Sequence, residues 1–492
     1  MGHKRPVNTR MTRLSRVAAV AACALLAIGA DAPAATAGGF ELPEGGARAL
    51  SRGGAFAVGV DDPSALFLNP GAMIRLRGTH VLLNHVLVWE NASFTRQPSD
   101  LPPGTDYSSE GFDPLAKVEN SEPLFPLGAM LLVTSDLGLD DFTFGAGIYG
   151  PNAHGKKQWP TEGGQRYMLT SLDAILFYPS LAVAYGDRET FGVGLTLQWV
   201  MAPSLKLGLV VDGSQNGDLH AYYSGNDVEA EIALSDMTSF SAILGAWWRP
   251  TPELELGVSG RVVPANLDLD GEFTLHNIPG QSQFAADDLE VTGSAARLDL
   301  TIPPTARAGV RYRGLDGERE VFDLELNVVY EAWSMIERYN VELDGIINLF
   351  VDAEAPDAII EKRWMDTLSV RLGGSWNAWQ EGDNALQLSL GAYYESPTVP
   401  KNYEHLDFLA FDRVGLGVGA TATIGALRVT LAYSHVFQGS RDVDERYGKV
   451  YQQRPLDPCP DQCDGGWDGV PSNAGHYESS YDLLAAAIEA TF

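Results

Sequence analysis

Apolar and polar residues alternate strictly over stretches of about ten residues, repeatedly, from Thr79 to the end of the chain. In 191–199 a bulky apolar side chain occupies every second position, and glycine, threonine and glutamine fill the positions between. In 322–330 apolar residues alternate with acidic and amide side chains. Because successive side chains of a strand point to opposite faces, each stretch predicts a strand with one apolar and one polar face.

The connections between these stretches alternate in length. Short connections lie at 136–141, 186–190, 249–253, 314–320, 380–384 and 425–426. Long polar connections lie near 94–124, 151–170, 203–235, 264–298, 338–366, 396–411 and 438–476. This order predicts an all-β fold, a 14-stranded antiparallel transmembrane β-barrel with both ends on the short-turn side, as in outer-membrane barrels. A soluble two-sheet sandwich is the alternative, and the one-sided apolar faces of so many long strands count against it.

Both ends of the chain agree with export to the outer membrane. Residues 1–37 begin with basic residues, continue with an apolar run over 17–30 and end in Ala35-Thr36-Ala37, which is the pattern of a secretory signal. We expect cleavage before Gly38. The last predicted strand, 481–492, has apolar residues in phase with a terminal Phe492 and resembles the assembly signal of bacterial outer-membrane barrels.

Net charge and cysteine content limit the partners and the covalent bonds that we expect for this chain. The formal charge is −30 and becomes −34 when the five basic residues and one acidic residue of the signal are removed. Nucleic acid is excluded as a partner because phosphates require a basic surface. Cys459 and Cys463 are the cysteines outside the signal; in an exported protein this pair favours a loop disulfide, with free thiols as the alternative. We expect neither a metal site nor a cofactor.

Residues 38–73 differ from the rest of the chain. They are rich in glycine and have neither a steady alternation nor a long apolar helical face. A segment of this kind cannot bury a core of its own. We therefore expect it to fill a space that the remainder of the chain provides.

Several motifs in this segment and beyond it occur in a recognisable order. They are Gly39-Phe40-Glu41-Leu42-Pro43-Glu44, Ser51-Arg52-Gly53-Gly54, Asp61-Asp62-Pro63, Asn69-Pro70-Gly71, Tyr178-Pro179-Ser180, Pro303-Pro304, Tyr330-Glu331-Ala332-Trp333-Ser334 and Tyr394-Glu395-Ser396-Pro397. In order and spacing they resemble the FadL family of outer-membrane transporters for long-chain fatty acids and other hydrophobic compounds. The resemblance covers essentially the whole chain after the signal.

The resemblance implies a signal peptide at 1–37, an N-terminal hatch that plugs the barrel at 38–78, and the barrel itself at 79–492. It also implies passive uptake of a hydrophobic small molecule, a fatty acid or a hydrocarbon, with lateral release and without enzymatic activity. We expect a monomer in contact with lipopolysaccharide. One departure concerns Asn69-Pro70-Gly71, because the family hatch usually has alanine at the third position; glycine keeps the volume small but loosens the backbone.

The resemblance further implies roles for three residues. Phe40 matches the hatch phenylalanine that reaches into the ligand pocket, with a simple plug anchor as the alternative. Gly145 and Gly147 lie in the third strand and would support the inward kink that opens a lateral gap, although glycine also marks ordinary bulges in strands.

A carboxylate ligand would require a cation in the lumen. Arg307, Arg311 and Arg371 fall on the polar faces of their predicted strands, and guanidinium groups bind carboxylates well. With a turn centred near Gly317, however, Arg311 would face Asp323 and form a structural ion pair. Arg371 has no such partner nearby in sequence, and we select it as a ligand residue. Lys206 is a further candidate, with a rim charge as the alternative.

An external capture site would come from the loops around 151–170 and 203–235. The apolar residues available there are Trp159, Met168, Leu207, Leu209 and Val211, which could instead pack the loops. Two other functions remain open, an outer-membrane lipid hydrolase and a surface adhesin or receptor. Against the first, Ser434 and His435 are adjacent on one strand and point to opposite faces, so they cannot act as nucleophile and base.

Overall fold

The computed structural model describes residues 39, 41, 42, 45–97, 113, 115–151, 153–212, 227–279, 282, 284–348, 352–453 and 471–492. Its strands are β1 (Thr79–Arg96), β2 (Val118–Glu119), β3 (Leu124–Ser135), β4 (Phe142–Ile148), β5 (Lys156–Gln158), β6 (Ser171–Phe177), β7 (Ser180–Asp187), β8 (Phe191–Asp212), β9 (Asp227–Thr251), β10 (Leu254–Val263), β11 (Ala265–Asn277), β12 (Glu290–Ile302), β13 (Thr305–Asp316), β14 (Arg319–Glu331), β15 (Arg338–Asn348), β16 (Asp352–Glu354), β17 (Ala358–Glu361), β18 (Thr367–Glu381), β19 (Asn384–Glu395), β20 (Arg413–Ile424), β21 (Leu427–Val443) and β22 (Gly475–Thr491). Helices α1 (Ala47–Ser51) and α2 (Ala65–Leu68) precede them, and 3₁₀ segments span Pro70–Arg75, Ala286–Asp288, Trp333–Met335 and Lys401–Tyr403. None of the helices in these ranges combines the length and hydropathy needed to span a membrane.

Fourteen of these strands form a closed antiparallel barrel. Around the ring they follow the order β1, β3, β4, β7, β8, β9, β10, β13, β14, β18, β19, β20, β21 and β22. The ring closes where β22 pairs with β1, from His80 opposite Thr491 to Arg96 opposite Gly475. The prediction of a 14-stranded antiparallel barrel is confirmed.

The two faces of the wall differ in polarity as the alternation predicts. In β8, Leu197 is 54% exposed on the outside, whereas the neighbouring Gln198 is buried inside. In β14, Tyr330 is exposed, and Glu325 and Asn327 are buried in the lumen. An apolar outer face and a polar inner face are what a barrel in lipid requires, because lipid cannot solvate charge.

For three of the predicted long connections, the prediction of a loop is wrong over much of the length; one of them, 338–366, contains β15, β16 and β17. β8 continues to Asp212 and β9 begins at Asp227, so most of 203–235 is strand, and β11 and β12 occupy much of 264–298. β11 pairs with both β9 and β12, and β12 pairs with β15. Their polar residues, such as Asp268 and Asp270, lie on an exposed face, with Leu269 buried between them. Polarity alone suggested loops, but a strand that meets water on one face is equally polar.

Residues 45–78 of the N-terminal segment pack inside the barrel. Helix α1 contacts β20 and β21, and the 3₁₀ segment Pro70–Arg75 contacts β7, β8 and β9. The backbone N–H of Ala47 donates to Asn84 Oδ1 at 2.8 Å, which ties the start of α1 to the wall. The lumen thus provides the partner that this glycine-rich sequence requires. Its assignment as a separate hatch with bounds 38–78 stays a prediction.

Candidate functional site

An apolar cavity of about 330 Å³ lies against the wall where β3, β4 and β6 approach one another. We call it the inner cavity. Its apolar lining comes from strands and loops far apart in sequence and includes Phe125, Ile148, Leu172, Leu205, Leu298 and Phe408. Aliphatic and aromatic side chains dominate this lining, as is typical of sites for small hydrophobic ligands.

A second cavity of about 500 Å³, the outer cavity, is lined by the extended ends of β8, β9, β11 and β15 and by loop residues. Leu207, Ile232 and Val341 line both cavities, so the two spaces adjoin. Between them runs the segment 405–408, in which His405 lines the outer cavity, and Asp407 and Phe408 line the inner one. We call these four residues the partition.

The barrel wall is interrupted beside the inner cavity. β4 ends at Ile148, and its pairing with β3 covers Leu131 to Ser135 and not the preceding part of β3. Ala129 and Ile148 are both exposed and both line the inner cavity. The cavity therefore reaches the outside of the barrel at the place where strand pairing stops.

The two glycines predicted to support a kink lie in β4, just before this interruption. A Cβ at Gly145 would lie 2.9 Å from Met73 Cε, and a Cβ at Gly147 would lie 2.4 Å from Leu132 Cδ2. Both positions therefore allow close packing, of the N-terminal segment in the first case and of β3 in the second. Their role in a kink stays a prediction.

Asn69, Pro70 and Gly71 lie where the N-terminal segment touches the wall. Asn69 Nδ2 donates to the carbonyl oxygens of Ala57 at 3.0 Å and Ala246 at 3.1 Å, and its Oδ1 accepts from the Gly71 N–H at 3.2 Å. A Cβ at Gly71 would lie 2.7 Å from Ala246 Cα. The backbone of Gly71 is not in the left-handed region. The position therefore requires glycine for its small volume, not for backbone freedom.

Buried charges join the N-terminal segment to the strands near the short turns. Asp323 accepts hydrogen bonds from Arg52 at 2.6 and 3.0 Å and from Arg311 Nε at 2.9 Å. Arg311 also donates to Glu255 at 3.0 Å, and Glu325 accepts the N–H groups of Val58 and Gly59. We call Arg52, Glu255, Arg311, Asp323 and Glu325 the plug network. Each carboxylate in it has several donors, as a buried charge requires.

The structure places Arg311 in this network and away from both cavities. The residue directly opposite it is Glu325, not Asp323, because the turn and a bulge between Gly314 and Leu315 shift the register by two residues. A shift of two residues keeps the same face inward. The expected ion pair with Asp323 therefore forms diagonally.

Two of the other predicted cations, Arg371 and Lys206, also lie near a carboxylate. Arg371 is buried, donates to Ser369 Oγ at 2.9 Å and lies 3.8 Å from Glu395; its role as a ligand residue stays a prediction. Glu395 is distant in sequence but adjacent across the sheet. Arg307 donates to the carbonyl oxygen of Phe67 at 3.3 Å. Lys206 is 53% exposed and lies 3.9 Å from Glu231, the environment of a rim charge.

Among the residues predicted for external capture, Leu207, Leu209 and Val211 line the outer cavity. Trp159 and Met168 instead lie buried in another hydrophobic cluster, together with loop residues and residues of β1, β6, β21 and β22. Ser434 is buried inside the barrel, and His435, on the opposite face, bonds to Asp482. Phe40, Cys459 and Cys463 lie outside the described residues.

The polar groups at the inner cavity were not predicted from sequence. Asp407 pairs with Lys362 at 2.6 Å and with His405 Nδ1 at 2.8 Å. Burial acts to raise the pKa of Asp407, but Lys362 and His405 outweigh it and hold that pKa well below its usual range. A similar group contains Glu90, with Lys157 at 2.8 Å and His154 at 3.4 Å. Burial lowers the pKa of His154, so its imidazole is neutral.

A closed barrel with an apolar exterior, a polar lumen and long loops at one end defines a bacterial outer-membrane β-barrel protein. The sequence matches the family described as outer membrane protein transport protein (OMPP1/FadL/TodX) over residues 28–457. The chain belongs to this family, whose members are outer-membrane transport channels. A comparison with curated proteins finds no match.

Solved structures support the fold at low sequence identity. A Pseudomonas aeruginosa FadL homologue superposes with a TM-score of 0.71 and 15% identity, covering 92% of this chain and 100% of the homologue. The P. putida toluene transporter TodX gives a TM-score of 0.60 and 14% identity, with 92% and 99% covered. The Ralstonia pickettii toluene transporter TbuX gives 0.59 and 14%, with the same coverage.

Proposed function

We propose that this protein is a passive channel through which hydrophobic molecules enter at the outer cavity, pass the partition into the inner cavity and leave sideways through the wall. The observation that carries the proposal is the continuity of these spaces. Leu207, Ile232 and Val341 line both cavities, and the inner one ends at the exposed Ala129 and Ile148.

Physical chemistry favours this route over a straight one. Each square ångström of apolar surface that leaves water is stabilised by about 25 cal/mol, so an apolar solute favours the two cavities over the aqueous lumen. The way down the barrel axis meets the N-terminal segment and the plug network, where a hydrophobic solute would have to displace paired charges. Exit between β3 and β4 leads directly to lipid.

The family and its solved members support a hydrophobic cargo. Two of the similar structures are described as toluene transporters, and one as a FadL homologue. We assign this chain a small hydrophobic solute on the strength of its own cavities. Their apolar linings suit hydrocarbon groups of many shapes.

The lateral route can be tested by closing it. Ala129→Trp places a large side chain at the mouth of the inner cavity, and we expect uptake of a hydrophobic solute into proteoliposomes to fall about tenfold or more. Ala486→Trp is the matched control, since Ala486 is exposed on the outside of β22 and lines neither cavity. Transport by Ala129→Trp at the rate of the parent protein would exclude lateral release at this place.

A further inference from the structure

The inner cavity is apolar except at a few lining side chains, Tyr149, His154, Tyr339 and Asp407. Tyr149 Oη already accepts a hydrogen bond from Gln198 at 2.6 Å. The remaining polar chemistry comes mainly from a carboxylate and an imidazole that stand among leucine, isoleucine and phenylalanine side chains. Their hydrogen-bonding state decides which ligand the cavity accepts.

Asp407 presents a hydrogen-bond acceptor to the cavity. Its oxygens accept hydrogen bonds from Lys362 Nζ at 2.6 Å and from the Phe408 N–H at 2.8 Å, and Oδ1 also lies 2.8 Å from His405 Nδ1. A carboxylate has about four lone-pair sites, so it can accept a further donor. Asp407 is 3% exposed, and water does not compete freely for that site.

His154 is a second acceptor. Its Nε2 lies 2.8 Å from the carbonyl oxygen of Pro123, which can only accept, so Nε2 carries the proton of the neutral ring. Nδ1 is then a bare acceptor, is buried and has no hydrogen-bond partner. It lies 3.4 Å from Glu90 Oε2, which also lacks a partner. Of these two unpaired acceptors, His154 Nδ1 belongs to a residue that lines the cavity, and the proton of a ligand O–H group would satisfy it.

The two lysines near the inner cavity are already paired with carboxylates of the protein. Lys362 pairs with Asp407, Lys157 pairs with Glu90 at 2.8 Å, and neither lysine is among the described residues that line the inner cavity. A carboxylate ligand would therefore lose its water and meet two acceptors and no cation, with the neutral hydroxyls of Tyr149 and Tyr339 as the donors among the described lining side chains. An uncharged ligand with an O–H group would lose less hydration free energy on entering the cavity, and it would gain a charge-assisted hydrogen bond to the Asp407 carboxylate.

We propose that the inner cavity selects an uncharged hydrophobic molecule that carries a hydroxyl donor, such as an alkylphenol or a long-chain alcohol, over a carboxylate on the same carbon skeleton. Asp407 and His154 Nδ1 are the acceptors. The proposal rests on the proposed function and specifies the cargo of the same route.

Three ligands that share one skeleton test it. We would titrate 4-heptylphenol, heptylbenzene and 4-heptylbenzoate into the purified full-length protein in detergent at pH 8, using calorimetry. We expect the phenol to bind about tenfold more tightly than the hydrocarbon, as one good hydrogen bond predicts, and the benzoate to bind most weakly. Equal or tighter binding of the benzoate would overturn the proposal.

Two variants test whether Asp407 and His154 cause the preference for the phenol. Asp407→Asn removes the charge while leaving Lys362 in place, so the benzoate should gain affinity and the phenol should lose it. His154→Phe should weaken the phenol severalfold and leave heptylbenzene unchanged, and His435→Phe, on the outside of β21, should alter neither. Unchanged selectivity in both cavity variants would contradict these roles; where a variant does not fold, the ligand series on the parent protein still decides.

The two proposals fail in different ways. If none of the three ligands binds and none is taken up, the proposed channel function itself is wrong. If all three bind or cross with similar strength, the channel stands and the selection for a hydroxyl donor is wrong.

Discussion

In the half of the lumen near the short turns, buried charges contact one another, whereas in the half near the long loops, aliphatic side chains surround two cavities. Asp323 has donors from two arginines and from the Ser375 N–H, so its position is fixed by several directed bonds. The linings of the inner and outer cavities are mainly apolar, make directed bonds at only a few of their described residues, and leave space. Directed polar bonds fix the N-terminal segment in one place, whereas apolar walls leave space for a solute. On the proposed function, the first half closes the barrel and the second half carries the solute.

Removing the carboxylate that Arg52 and Arg311 share should have the largest effect on the half near the short turns. Asp323→Ala leaves Arg52 and Arg311 buried without their common partner, which costs about 3–5 kcal/mol for a buried pair. We expect a lower unfolding temperature and an ion-conducting leak in planar bilayers, because the N-terminal segment loses a main attachment. Asp316→Ala, at an exposed position in the same hairpin, should leave both unchanged. A variant at Asp323 that stays closed to ions would show that the plug is held by other contacts.

A smaller effect is expected from a single methyl group at the contact between plug and wall. In Gly71→Ala the new Cβ would collide with backbone atoms of Ala246 and Gly245, both at 2.7 Å, and backbone cannot move aside as a side chain can. Overpacking of this kind costs about 1–3 kcal/mol. Chemical unfolding should detect the loss, together with a small increase in ion conductance. If Gly71→Ala matches the parent protein in both measurements, the contact is looser than the structure indicates.

Much of the barrel wall could be predicted from sequence, because the alternation of apolar and polar residues within each strand shows which side chains face outward and which face the lumen. The alternation in 191–199 and 322–330 requires no knowledge of the neighbouring strands. Register is less local: a turn position and a bulge near Gly314 together moved the partner of Arg311 by two residues. The sequence did not predict β11 as a strand because the exposed face of this strand is polar.

The cavities could not be predicted, because no single segment contains them. Leu207, Ile232 and Val341 share a lining only after β8, β9 and β15 are brought together. The ion pair of Lys362 and Asp407 joins residues 45 positions apart in two different loops. Leu207 and Leu209 were found as candidates because they are apolar residues beside a long polar stretch. The same signal also selected Trp159, which lies buried in another hydrophobic cluster and lines neither cavity.

The subtlest test concerns charge in the loops above the cavities. Burial raises the pKa of Glu404 to about 7, although Arg441 lies 2.6 Å away and acts to lower it. One oxygen of this carboxylate, Oε1, has no hydrogen-bond partner. Glu404 thus has fewer donors than Asp323 in the plug network, and it keeps a proton to a higher pH than an ordinary glutamate.

The raised pKa of Glu404 determines whether the stability of the protein rises or falls with pH. Between pH 4.5 and about 7 the folded protein holds a proton on Glu404 that the unfolded chain has released, so stability falls as pH rises through this window. We expect the unfolding temperature of the parent protein to decrease from pH 5 to pH 8 relative to Glu404→Gln, whose side chain cannot ionise. Glu337→Gln, at an exposed glutamate, should follow the parent curve. Parallel curves for the parent and Glu404→Gln would mean that Arg441 compensates the charge fully, and that the loops above the cavities hold ionised carboxylates as firmly as the plug network does.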